Sequence, residues 1–112
     1  MAQFIEVELE HLATSYRSHP IYPRNGRYLP HLRVSPDGEY LGVRFLDGPA
    51  VLARGESGRA LLQLVYLETG VDYSALTPGT QFEVQEGPHT VAHGHVLRRW
   101  TGPDIEPRDV AT

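Results

Sequence analysis

Leu76–Trp100, LTPGTQFEVQEGPHTVAHGHVLRRW, reads as a turn, a strand, a tight turn and a second strand. Thr77-Pro78-Gly79-Thr80 supplies the first turn, because proline presets φ and glycine accepts the reversed backbone. Across Gln81 to Glu86, Phe82 and Val84 alternate with Gln81, Glu83 and Gln85, so the apolar pair faces a core and the polar set faces water. Glu86-Gly87-Pro88 reverses the chain into Thr90–Val96. A β-hairpin is the expected result, with Glu86-Gly87-Pro88 as its turn.

The same alternation extends outward. Ile5, Val7, Leu9 and His11 alternate with Glu6, Glu8 and Glu10 in an opening strand with one buried and one acidic face. Leu29–Val34 reads as the second strand, Pro36-Asp37-Gly38 as a turn, and Tyr40–Leu46 as a third strand ending at Asp47-Gly48-Pro49. Val51-Leu52-Ala53 is short enough for an edge or connector. Arg59–Glu68 is the most apolar segment, and its near-continuous run suggests burial on both faces or a strand crossing a barrel corner. No window sustains a helical period. Short antiparallel strands without a covering helix are satisfied by closure, which removes exposed edges. We therefore expect an all-β closed antiparallel barrel over residues 1–100, and a disordered tail over 101–112, where two prolines and three acids leave few large apolar groups.

The chain has 112 residues, enough for one domain. With no cysteine it has no disulfide framework or thiolate chemistry. It shows neither a secretory leader nor an apolar run of about 20 residues, so the expectation is a cytoplasmic protein without membrane insertion. Its net charge of −4 argues against a uniformly basic nucleic-acid binder. The charge is uneven, however: His11 to Pro36 contains no Asp or Glu and carries +4, while the rest of the chain carries −8. All basic residues are arginine. Without lysine there is no phosphate loop of the type G-x-x-x-x-G-K-[ST], so nucleotide hydrolysis is not expected.

The hairpin resembles the last hairpin of the third domain of elongation factor Tu and its relatives. That family has a Glu-Gly-Gly turn followed by a strand of the type Thr-Val-Gly-Ala-Gly-Val-Val. Here the corresponding residues are Glu86-Gly87-Pro88 and Thr90-Val91-Ala92-His93-Gly94-His95-Val96. Upstream, Tyr28-Leu29-Pro30-His31-Leu32-Arg33-Val34 resembles the family's Tyr-Arg-Pro-Gln strand, and Phe4–Leu12 resembles its first strand. The resemblance implies a six-stranded antiparallel barrel and a binding role without enzyme activity, since that family's GTPase activity belongs to another domain. It also implies contact with tRNA at Glu86, Gly87 and His31. The two arginines that flank the family's turn are here Gln85 and His89, which removes much of the electrostatic grip on RNA.

Three functions of different classes fit these patterns. The leading expectation is a non-enzymatic protein-interaction module with no cofactor, docking through the barrel face or the loop. The second is an RNA-binding module using the basic loop 11–36. There Arg17, Arg24, Arg27 and Arg33 interleave with Tyr16, Tyr22 and Tyr28, combining phosphate neutralisation with stacking; four phosphate contacts would give a salt slope of about −3. Thr14–Arg27 is long for a compact domain, which marks it as a candidate binding surface. The third is a small metal-dependent barrel enzyme. His89, His93 and His95 share a strand face, but His89 and His93 stand roughly 13 Å apart. His93 and His95 would need further donors, such as His11 or Glu8. The residues singled out for an RNA or protein partner are Arg17, Arg24, Arg27, Tyr28, His31, Arg33, Glu86, Gly87 and His89. The oligomeric state and the partner's identity are not written in these patterns.

Overall fold

Six strands close on themselves in a computed structural model of the chain, in which residues 1–108 are described. They are β1 (Ala2–His11), β2 (His31–Arg33), β3 (Leu41–Asp47), β4 (Ser57–Leu64), β5 (Gln81–Glu86) and β6 (His89–Gly102). Around the barrel the order is β1-β4-β3-β2-β5-β6, every pairing antiparallel, with β6 returning to β1. The fold is thus an all-β, six-stranded closed barrel. Among the described residues no helix is long and apolar enough to cross a membrane.

The interior is a product of the alternation: Ile5, Val7 and Leu9 of β1 meet Phe45, Leu62, Val84 and Val96 in one core. Three bulges modify the pattern. At Glu6/Val7 the register with β6 slips, leaving Leu97 without an opposite residue. At Phe45/Asp47 the extra residue is Leu46, so consecutive side chains are both buried. Leu46 joins a second apolar cluster with Ala2 and Phe4 on the other side of the sheet. Trp100 covers it, its ring 5.7 Å from Phe4 and its face under Arg98. At Val84/Gln85 the extra residue is Val91 of β6, so Val91 and Ala92 are both buried; Gln85 is also fully buried, on the groove side of β5 with His31 and Thr90 as neighbours, against the expectation that it faces water with Gln81 and Glu83. A bulge adds one residue to one strand and so reverses the facing of the residues after it.

Three segments differ from the sequence reading. The second strand, read as Leu29–Val34, spans only His31–Arg33. The apolar run Arg59–Glu68 stays in the sheet only to Leu64; a single turn of 3-10 helix, Leu67–Thr69, comes next and ends at Gly70 in the left-handed region. The chain returns through Tyr73, whose buried hydroxyl donates to the Gly42 carbonyl. Beyond Trp100, where the sequence predicts a tail, β6 continues to Gly102. Farther along, the Arg108 amide donates to Leu46 O at 2.8 Å, and its carbonyl accepts from the Asn25 amide at 2.7 Å. The rest of the predicted tail, 109–112, lies outside the described residues.

The segment between β1 and β2 is anchored to the connection between β3 and β4. Ile21 is fully buried and pairs with Leu52 through two backbone hydrogen bonds. His11, buried at the end of β1, adds its Nδ1 to the Leu52 carbonyl at 2.9 Å. Ile21 thus ties the loop to the β3–β4 connection, and Tyr16 and Arg17 join it to the β5–β6 hairpin.

Candidate functional site

At the β5–β6 turn, Glu86 is the centre of a cluster whose members lie far apart in the sequence. Gly87 holds the turn at φ 57°, a left-handed conformation that glycine adopts without steric cost. Glu86 then lies against the loop that precedes β2. Tyr16 donates to Oε1 at 2.8 Å, Arg17 donates to Oε2 at 2.5 Å, and Tyr28 also donates to Oε2. The Tyr16 ring stacks on His89 at 4.1 Å between centroids, and the Arg17 guanidinium lies 5.3 Å from the centre of the Tyr28 ring. Arg17 is held further by the carbonyls of Pro20 at 2.8 Å and His19 at 3.2 Å.

This packing sets the electrostatics. Burial pushes the Glu86 carboxyl upward, but hydrogen bonds from Tyr28 and Tyr16 and the positive Arg17 outweigh it and hold the group below the usual carboxylate range. Burial, then the bond to Glu86, drives the Tyr28 phenol far up; for Tyr16 the bond to Glu86 is the main cause of a rise. At neutral pH the carboxylate is charged and both phenols keep their protons. Three donors occupy it, so it is poorly disposed to accept a substrate proton.

Four of the residues singled out in the sequence, Arg17, Tyr28, Glu86 and His89, are thereby brought together, with Gly87 beside them. His31 stands next to them, its ring 5.7 Å from Tyr40. Arg24 and Arg33 are used elsewhere. Arg24 donates to Gly48 O at 2.7 Å and lies 3.9 Å from Asp47, while Arg33 pairs with Glu83 at 3.1 Å and lies over Tyr40. Arg27 differs: it is exposed and its guanidinium makes no ion pair among the described residues. The basic loop is therefore largely neutralised from within.

Beside the cluster runs a groove of about 620 Å³, lined by Tyr16, Tyr28, Leu29, Pro30, His31, Pro88 and His89, with Gln85 and Glu86 at its base. Tyr16 and Leu29 are each 57% exposed at its border. Leu29 and Pro88 are not among the site residues that the sequence singles out, because there Leu29 reads as the start of a strand and Pro88 as part of a turn.

The histidines of β6 lie elsewhere. His93 faces Glu83 and Glu10 across its neighbours, and His95 faces Gln81 and Glu8. Of the further donors that a metal site would call on, His11 is fully buried and bonded to the Leu52 carbonyl, and Glu8, opposite His95, pairs with Arg59. Among the described residues no three His, Asp or Glu side chains are grouped so as to hold a metal ion. No model of a known protein family matches the chain, and no curated protein matches it either.

Proposed function

We propose that this barrel is a non-enzymatic protein-interaction module that docks a partner in the groove beside Glu86. The observation that carries the reading is the pair of half-exposed side chains, Tyr16 and Leu29, flanking a groove walled by tyrosine, proline and histidine. Rigid aromatic and apolar groups of this kind lose little conformational entropy on burial, which is why they anchor protein interfaces. The Glu86 bonds make the groove pre-organised, so little ordering is left to occur on binding. A binding role is also what the resemblance to the third domain of elongation factor Tu implies.

RNA binding through the same loop is the weaker alternative. Arg17, Arg24 and Arg33 already have internal partners, so a phosphate backbone would gain mainly Arg27. The expected salt slope falls from about −3 toward about −1.

Affinity capture with the tagged protein from a lysate of its source, split by nuclease treatment and by salt, separates the two. A protein partner that survives both treatments, and is lost with Leu29→Ser, is the expected result. Nuclease-sensitive enrichment of RNA that is lost in salt would overturn it.

A further inference from the structure

Tyr28 has two sides. One lines the groove; the other lines a neighbouring cavity of about 310 Å³ formed with Arg17, Tyr22, Asn25 and Arg27. We infer that this cavity receives a carboxylate side chain, so that the partner segment presents an Asp or Glu next to the apolar residue seated in the groove. The inference rests on the groove being the docking surface, and adds the chemistry of what docks there.

One exposed guanidinium, that of Arg27, distinguishes this cavity. The Arg17 guanidinium is committed to Glu86 and to the carbonyls of Pro20 and His19. Arg27 is held only through its backbone, whose N–H donates to Asn25 Oδ1 at 3.2 Å, leaving its guanidinium exposed without an ion pair among the described residues. Asn25 sits at φ 68° in the left-handed region, which places its side chain under the Arg27 amide. Tyr22, 46% exposed, offers a ring and a hydroxyl on the opposite wall.

Charge selects the ligand. No carboxylate of the chain lies between His11 and Pro36, and the nearby Glu86 is already occupied by three donors. A guanidinium flanked by tyrosines matches a carboxylate on a short side chain, through charge-assisted hydrogen bonds. The rest of the molecule is net negative, which disfavours an acidic segment over much of its surface. Complementarity then sets the register of the bound segment as much as its affinity. Because Tyr28 is the common wall, one short extended peptide can fill both depressions.

The test is selection of random linear peptides displayed on phage, against the intact protein, against Arg27→Glu and against Leu29→Ser. Both residues are exposed, and a thermal melt checks that each variant keeps the fold. The expected result is enrichment of sequences with Asp or Glu beside an apolar residue, with about a tenfold or greater loss of affinity of those peptides for Arg27→Glu. Replacing the selected acid by its amide should cost about as much. Peptides enriched without an acid, bound equally by Arg27→Glu but lost with Leu29→Ser, would overturn the inference and leave the groove as the docking surface. An acidic preference that persists in Arg27→Glu would also overturn it. Failure to enrich any peptide would overturn both.

Discussion

Glu86 joins two segments that lie far apart in the sequence. Its carboxylate ties the hairpin turn to the loop through Tyr16, Arg17 and Tyr28, and the Arg17 and Glu86 side chains are only 19% and 15% exposed. Replacing it by Gln removes the charge and leaves a half-buried guanidinium unbalanced, which costs about 2 kcal/mol. For a domain of this size that lowers Tm by about 10 °C. The pH dependence has a definite sign. The folded carboxyl lies below its unfolded value, so its contribution is fully present above the unfolded pKa of about 4.3 and is lost as pH falls through the folded value. Urea midpoints of the native chain and Glu86→Gln should therefore differ by a constant amount above about pH 5 and converge in acid. A difference that grows as pH falls would contradict the assignment. Tyr28→Phe keeps the ring contact with Phe45 but removes one donor to the carboxylate. It should cost about 1 kcal/mol and shift the acid loss to higher pH.

Among the strands, two glycines of the last hairpin make opposite demands. A Cβ at Gly94 would collide with the Glu8 carbonyl and sit 2.9 Å from the Leu9 Cα. Backbone cannot move aside as a side chain can, so Gly94→Ala must separate β6 from β1. We expect a loss of about 3 kcal/mol or more, or failure to fold, read by circular dichroism and urea unfolding. A Cβ at Gly87 would meet nothing, and only its positive φ opposes substitution. Gly87→Ala should cost about 1–2 kcal/mol and preserve the barrel. Equal effects of the two would refute the distinction. The same hairpin shows what sequence makes legible. β5 has the bounds read from Phe82 and Val84, because turn residues and strict alternation enclose it. Gln85 stands at a polar place in the alternation yet is buried, because Tyr16 and Tyr28 of a loop distant in the sequence line the same groove, and nothing in β5 alone announces that cover. The end of β4 is hidden because Val65 and Tyr66 are apolar although they have left the sheet. Pairing of Tyr16 with Glu86 spans 70 residues, so the basic loop is visible in the sequence as a candidate while its neutralisation is not.

Over the whole molecule, closure makes every strand interior, yet the barrel is unevenly bonded. β1 pairs along most of its length with both β4 and β6. β2 is three residues long, bridging β3 at His31 and Leu32 and β5 at His31, Leu32 and Arg33. Pro30, just before it, has no N–H to give, although its carbonyl still accepts from Val43. Opening should therefore begin at β2 and the loop that leads into it, with β1 and β6 last, because local stability tracks backbone bonding and burial. Native-state hydrogen exchange should show amides of residues 14–33 exchanging through openings of lower free energy than those of β1 and β6. The Glu86 bonds hold that loop and no other part of the barrel. In Glu86→Gln, protection should fall across 14–30 more than stability falls globally, with β1 and β6 tracking only the global loss. Uniform loss of protection along the chain would mean that loop and barrel open as a single unit, and that the groove beside Glu86 is as rigid as the strands that support it.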